Sequence, residues 1–297
     1  MLKGRKIAVI GGDLREKELI RRLLGAGAEV TVVGSPFREI PHALRVVNCL
    51  EAAFREAEVI IAPVLGADEN GLLKASFLDE PLVLTPEIIA EIPSGVLFLI
   101  GTANASLKAA AQESGFDLVE TAKLEEFACR NAVPTAEGAV QLALENLPFT
   151  INEAEMLVLG FGRVGRALSK LLSAMGARVT VAARAESQRQ EAESLGCESL
   201  NLLLLADKIG RYRAVFNTIP ALVLDKLRLS GLAPGSLIVD LASFPGGTDF
   251  AEASKLKLKA VLAGGLPGKT APESAGKILS EVVFKILQAD GSLLGGA

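Results

Sequence analysis

Residues 7–34 read IAVIGGDLREKELIRRLLGAGAEVTVVG, and residues 156–183 read MLVLGFGRVGRALSKLLSAMGARVTVAA. Laid over one another without a gap, the two stretches share one plan. Each opens with a run of aliphatic residues and turns at a glycine, Gly11 or Gly160. Apolar residues then recur at helical spacing, as Leu168, Leu171, Leu172 and Met175 do in the second copy. A further glycine, Gly27 or Gly176, precedes a Val-Thr-Val run. A buried strand, a tight turn, a helix and a second strand make one β-α-β unit. Its occurrence twice predicts two α/β lobes within one chain.

Outward from the repeats, short aliphatic runs alternate with longer amphipathic segments, the pattern of parallel sheets. In the first half the strand candidates are 6–10, 29–33, 58–62, 95–100 and 116–120; in the second they are 155–160, 178–183, 213–218, 236–241 and 258–263. The expected architecture is α/β: two Rossmann-like, doubly wound parallel-sheet lobes flanking a cleft. Residues 1–133 form the first lobe, completed by a terminal helix in 274–297, and 134–273 form the second. PTAEGAVQLALEN (134–146) reads as a helix that starts at its proline and connects the lobes. Gly264–Thr270 is too glycine-rich for a helix and reads as a flexible loop bringing Lys269 to the reacting end of a cofactor, or as a solvated turn.

Composition removes several chemistries. The chain has 297 residues, 31 Lys+Arg against 35 Asp+Glu, one histidine, no tryptophan and three cysteines. One imidazole, His42, builds neither a His-rich zinc site nor a Ser-His-Asp triad, and no G-x-S-x-G turn is present. Cys49, Cys129 and Cys197 are too scattered for a metal knuckle or a disulfide framework. Without a basic excess, nucleic acid is not an expected partner. No apolar run reaches the roughly 20 residues of a membrane span, and the start does not read as a secretory signal, so a cytoplasmic protein is expected. Acid–base chemistry here is expected to avoid histidine, with His42 a bystander.

The differences between the two copies carry the function. In the second, Gly160-Phe161-Gly162-Arg163-Val164-Gly165 is a G-x-G-x-x-G between a strand and a helix, the arrangement that seats a dinucleotide pyrophosphate on a helix N-terminus. In the first, Asp13 and Glu16 stand where Gly162 and Gly165 stand. Two carboxylates at a helix start favour the helix dipole but repel a pyrophosphate. Asp13 and Arg15 are left as substrate contacts, or Asp13 as a simple helix cap.

Cofactor choice is read after the second strand of the unit, where an NAD enzyme places a carboxylate for the ribose 2′-hydroxyl. Here Ala183 is followed by Arg184, with Ser187 nearby, which favours the 2′-phosphate of NADP; Glu186 is the residue that would suit NAD instead. Asn217, Thr218, Ile219 and Pro220, and Asp240, Leu241 and Ala242, follow two later strands and are expected to border the cofactor, the alternative being that Pro220 and Asp240 only end a strand and cap a turn.

Gly11-Gly12-Asp13, RNAVPTAEGA (130–139), LVLGFGRVG (157–165) and LPGKTAPESAG (266–276) together resemble the A subunit of bacterial dipicolinate synthases over nearly the whole chain. The resemblance implies an NADP-dependent oxidation of dihydrodipicolinate, or its 4-hydroxy-tetrahydro precursor, to dipicolinate in the mother cell of a sporulating bacterium. It also implies a flavoprotein-like B subunit as partner; a homo-oligomeric assembly is expected as well. Two readings stay open beside it: a shikimate-dehydrogenase-like reductase of another small carboxylate, and a nucleotide-binding subunit that does no chemistry. Removing hydride from a dihydropyridine makes the ring aromatic, so the protein's part is mostly positioning and the binding of two carboxylates. Arg130, Asn131, Thr135, Thr102, Asn104, Ser243 and Lys269 are the candidate donors. Glu137 is the candidate for a proton step, against a bland role in the first turn of its helix.

Overall fold

Strands and helices follow one another along the computed structural model, which describes residues 2–34, 37, 43–243 and 245–294; His42 lies outside the described residues. The chain divides into two units, Met1–Arg130 with Pro272–Ala297, and Asn131–Ala271.

The first unit runs β1 (Lys6–Ile10), α1 (Leu14–Gly25), β2 (Glu29–Val33), β3 (Leu44–Val47), α2 (Leu50–Phe54), β4 (Val59–Ile61), β5 (Leu72–Leu73), β6 (Leu82–Val83), α3 (Pro86–Ala90), β7 (Leu97–Ile100), α4 (Ala105–Ser114) and β8 (Asp117–Glu120), and leads into α5 (Glu125–Asn146). Six strands form a parallel sheet in the order β3-β2-β1-β4-β7-β8, while β5 and β6 make a separate antiparallel pair. Side chains of a strand alternate between faces, and here both faces are covered. Ile7 and Val9 of β1 therefore pack with Leu19, Ile20 and Leu23 of α1, whereas Ala8 and Ile10 pack with Phe54, Ile60 and Phe98 on the other side.

The second unit repeats the scheme with β9 (Glu155–Leu159), α6 (Arg163–Ala174), β10 (Arg178–Ala183), α7 (Glu186–Ser194), β11 (Glu198–Asn201), β12 (Ala214–Asn217), α8 (Lys226–Ser230), β13 (Leu237–Asp240), α9 (Phe250–Lys255), β14 (Lys259–Leu262) and α10 (Leu266–Thr270). Its parallel sheet has the equivalent order, β11-β10-β9-β12-β13-β14. Met156 and Val158 face one core, Leu157 and Leu159 the other. The chain then returns to the first unit as α11 (Pro272–Leu294). Leu279, Val282, Val283 and Leu287 of α11 join the core of α1 and β1. A Cβ on Gly276 would stand 2.6 Å from the Arg15 carbonyl oxygen, so the bare glycine lets the two helices touch.

Two local expectations are corrected. The helix expected to start at Pro134 begins at Glu125 and carries Pro134 inside it. Proline lacks the N–H that would bond the Arg130 carbonyl, but the Thr135 hydroxyl donates to the Asn131 carbonyl at 2.7 Å, and the helix continues. The stretch expected to be a loop at 264–270 does turn at Gly265, in the left-handed region, and then forms the short helix α10 with proline at its start. That turn is supported from outside: a Cβ on Gly138 of α5 would lie 2.9 Å from the Leu266 Cβ and 3.0 Å from the Thr270 hydroxyl. Close packing that composition does not reveal overrides the glycine content.

Candidate functional site

The three glycines after β9 do different work. Gly160 has a positive φ of 87°, and a Cβ there would meet the Thr218 hydroxyl at 2.6 Å and Ile219 Cγ1 at 2.8 Å. A Cβ on Gly165 would come within 2.3 Å of the Gly160 carbonyl oxygen. Both positions are glycine because the protein itself leaves no room. Gly162 is the opposite case: nothing lies within 4 Å of where its Cβ would be, and as N-cap of α6 it supplies no side-chain acceptor. The Gly162 carbonyl takes the first helical bond, from the Arg166 amide at 2.9 Å. The uncapped first turn of a 12-residue helix, with its positive dipole end, thus opens beside unfilled space. Those features fit a pyrophosphate. Arg163 is exposed at this turn and Val164 half-buried.

At the end of β10, Ala183 is buried, while Arg184 and Ser187 are exposed. Arg189 of α7 donates through Nη1 to the carbonyls of Ala183 at 3.1 Å and Arg184 at 2.6 Å. Gln188 Nε2 reaches the Phe161 carbonyl at 3.4 Å. The Glu186 carboxylate accepts from Gln190 at 3.5 Å.

The segments after β12 and β13 are tied to each other. Asn217 and Asp240 are fully buried and paired in register across the two strands. Asn217 Nδ2 donates to Asp240 Oδ1 at 2.9 Å and to the Ile219 carbonyl at 3.1 Å, and its Oδ1 accepts from the Ile219 amide. Asp240 also accepts from the amides of Ala242 and Gly247. The two side chains thereby shape the Thr218–Pro220 and Leu241–Ala242 loops. Thr218 donates its hydroxyl to the Leu159 carbonyl at 2.8 Å, next to the glycine turn. Leu241 and Ala242 are half-buried and Pro220 is exposed.

The glycine turn of the first unit is filled by its own side chains. Asp13 caps α1, and Glu16 completes a capping box by accepting from the Asp13 amide at 2.7 Å. The Glu16 carboxyl occupies the space at Gly12, where a Cβ would be 2.4 Å from its carboxyl carbon. The segment leading from β5 crosses the same turn: the Gly12 amide donates to the Lys74 carbonyl at 2.6 Å, and the Ser76 amide donates to the Gly12 carbonyl at 2.9 Å. Arg15, nearly fully buried, binds Asp13 through Nε at 2.9 Å and Nη2 at 2.8 Å. Burial and then the neighbouring Asp13 charge push the Glu16 carboxyl up to about 7. Burial also raises Asp13, but its bonds to Arg15 and the Arg15 charge outweigh this and leave it below its ordinary value. The expected repulsion of a pyrophosphate is accompanied by plain occupancy of its seat.

Several other candidates use their polar atoms within the fold. Asn104 caps α4, accepting from the Leu107 amide at 2.9 Å and donating to the Asp68 carbonyl at 3.0 Å. The Thr102 hydroxyl points to the Leu65 carbonyl at 3.4 Å. Arg130 stands inside α5 and pairs with Glu281 at 2.5 Å and Glu126 at 3.5 Å. Asn131 Oδ1 is buried without a hydrogen-bond partner among the described residues. Glu137 is exposed and well inside α5, so the bland helix-start role considered for it does not apply. Lys269 is exposed on α10, and Ser243 is exposed after β13. Because α10 lies against Gly138, Glu137 and Lys269 flank one contact between helices. Arg189 and Gln188 escaped the sequence reading. Of these only Arg189 left a signal, as a second arginine five residues after Arg184. Among the described residues no group of His, Cys, Asp or Glu is placed to hold a metal, and no helix is long and apolar enough to cross a membrane.

Comparison with known proteins agrees with this division of labour. Residues 6–122 match the N-terminal domain of the dipicolinate synthase A subunit. Residues 131–238 match the D-isomer specific 2-hydroxyacid dehydrogenase NAD binding domain. The second unit is therefore a nicotinamide-dinucleotide-binding domain of the oxidoreductase type. The dipicolinate synthase A subunit of Bacillus subtilis (strain 168) is 37% identical over 290 residues, 97% of each chain. A crystal structure of the Bacillus halodurans A subunit superposes with a TM-score of 0.92 at 34% identity, covering 96% of this chain and 99% of that one. The crystal structure of the Bacillus subtilis counterpart gives 0.86 at 35% identity and covers 98% of both. With both lobes, the glycine turn and the full length accounted for, the chain belongs to the family of dipicolinate synthase A subunits.

Proposed function

We propose that this chain oxidises dihydrodipicolinate, or the 4-hydroxy-tetrahydro precursor that yields it by loss of water, to dipicolinate with NADP, in the cytoplasm of a sporulating mother cell and beside a flavoprotein-like B subunit. The observation that carries the reading is the relationship to the dipicolinate synthase A subunit along the whole chain. The open glycine turn of α6 supports it by providing a seat for a dinucleotide.

Aromatisation of the dihydropyridine removes one hydride from a ring carbon and one proton. Bound NADP supplies the hydride acceptor. The chain's own task is to hold the pyrophosphate on the first turn of α6, to keep the ring carbon facing the nicotinamide, and to receive the proton. Glu137 is the carboxylate assigned to that proton, and to the loss of water from the hydrated precursor. Lys269, Thr102 and Ser243 are assigned to the substrate carboxylates, where cationic and hydroxyl donors give charge-assisted hydrogen bonds. Arg184 and Ser187 are assigned to the 2′-phosphate, where no carboxylate ends β10. Asn217, Asp240 and Asn104 act through the loops that they hold. Asp13 and Arg15 order the closed turn of the first unit.

The test is to assay the purified chain, with and without a B-subunit partner, for NADPH and dipicolinate formed from dihydrodipicolinate and NADP. Product is expected at least from the mixture. Absence of product in both preparations refutes the reading. Product from the mixture alone, while the isolated chain still binds NADPH, would assign this chain the nucleotide-binding role and pass the oxidation to the pair.

A further inference from the structure

The end of β10 holds two guanidinium groups in unequal states. The Arg184 side chain is exposed. Arg189, half-buried on α7, is anchored: its Nη1 bridges the carbonyls of Ala183 and Arg184 at 3.1 and 2.6 Å. A guanidinium has five N–H donors in a rigid plane. With Nη1 spent on the strand end, Nε and Nη2 are left without a hydrogen-bond partner among the described residues. α7 is itself braced. Gln188 reaches the Phe161 carbonyl in the glycine turn, and Glu191 forms a two-pronged pair with Arg166 at 2.6 and 2.7 Å, whose guanidinium lies 5.4 Å from the Phe161 ring centre. One helix therefore fixes both the turn that would carry the pyrophosphate and the strand end that would carry the adenosine ribose.

We infer that Arg189, rather than Arg184 alone, is the principal specificity-determining residue for the nucleotide's 2′-phosphate. The inference rests on the NADP reading above. A pre-oriented guanidinium loses little freedom on binding, whereas an exposed arginine must be ordered by the ligand. The same bridge holds the Arg184 carbonyl just beyond the strand, so the two cations stand on one braced segment, with Arg189 leading. Of the two nearest carboxylates, Glu191 is paired with Arg166, and the described contact of Glu186 is with Gln190 rather than with either arginine.

The adenosine fragments 2′,5′-ADP and 5′-AMP separate phosphate recognition from general fit. Their affinities for the full chain and for Arg189→Ala, Arg189→Lys and Arg184→Ala are read by titration calorimetry, with thermal unfolding run in parallel. Arg189→Ala is expected to weaken 2′,5′-ADP by about ten- to a hundredfold, the size of a charge-assisted bond. It should leave 5′-AMP within about twofold, and Arg189→Lys should recover part of the loss. Arg184→Ala should cost less. If Arg184→Ala carries the whole loss while Arg189→Ala binds 2′,5′-ADP normally, the inference fails and the NADP reading stands. Equal weakening of both fragments in Arg189→Ala reduces the residue to a structural brace and also overturns it. Equal affinity of the unaltered chain for the two fragments refutes the NADP reading and this inference with it.

Discussion

Replacing Glu16 by glutamine should flatten the pH dependence of stability. The carboxyl is buried beneath the Gly12 turn, beside Asp13, and is pushed from 4.5 to about 7. An acid that holds its proton in the fold but releases it earlier when unfolded gives full stability at low pH. That stability drains away as the unfolded chain ionises, from about pH 4.5 until the folded value near 7, and stays lost above it. A gap of about 2.5 units corresponds to about 3 kcal/mol, of which about 2 kcal/mol falls between about pH 5.5 and pH 8. For a unit of this size that is a drop in Tm of about 4–8 °C. Asp13, held below its ordinary value, titrates at the acid end and leaves this window alone. Glutamine keeps an oxygen to accept the Asp13 amide now bonded at 2.7 Å. It also puts an amide nitrogen where Glu16 Oε1 has no partner among the described residues. Scanning calorimetry of both proteins at the two pH values measures the difference, since every other titrating group is common to them. Identical losses of Tm in the two would mean that Glu16 is ionised throughout, and would refute the argument.

Gly162→Ala should fold with a stability change of about 1 kcal/mol or less, because its Cβ meets nothing and its φ is an ordinary −81°. Its affinity for NADPH should nevertheless fall at least about tenfold, because the new methyl fills the space a pyrophosphate needs; unchanged binding by fluorescence titration would dissociate that turn from the nucleotide. Gly276→Val should loosen α11 from α1, since even a Cβ meets the Arg15 carbonyl at 2.6 Å and Glu18 Cβ at 2.8 Å. A loss of about 1–3 kcal/mol is expected by denaturant unfolding, with faster hydrogen exchange in both helices as the local signature.

The parts of the fold that were legible in the sequence are those where one residue type admits one physical reading. Aliphatic runs buried on both faces of a parallel sheet announce themselves, as β1, β9 and β10 do, and Gly160 and Gly165 are demanded by the side chains of Thr218 and Ile219 and by the Gly160 carbonyl, at 2.3–2.8 Å. β11 was missed because Glu198, Ser199, Leu200 and Asn201 bury only Leu200, leaving almost no apolar signal on an edge strand. β3 escaped likewise, with Leu44 its one buried residue. The turn of α10 depends on packing against Gly138 that has no local trace. In the candidate site, the open glycine turn ahead of α6 was readable from spacing alone. The mutual pairing of Asn217 and Asp240 was not, because it joins residues from two strands brought into register only by folding. Asn104 was readable in principle as a cap, an asparagine ahead of ASLKAAA, and its engagement there explains why its side chain is turned inward.

The return of α11 to the first unit also bears on the order in which the chain can fold during synthesis. Leu279, Val282, Val283 and Leu287 complete a core whose other members lie more than 130 residues upstream, among them Leu19 and Leu23. The nucleotide-binding unit, contiguous from Asn131 to Ala271, is synthesised whole before that last layer exists. Domains generally fold as they emerge, yet here the earlier-made lobe must wait with an apolar face of α1 uncovered. The later-made one draws both of its cores from residues before Ala271 and needs no later segment to complete them.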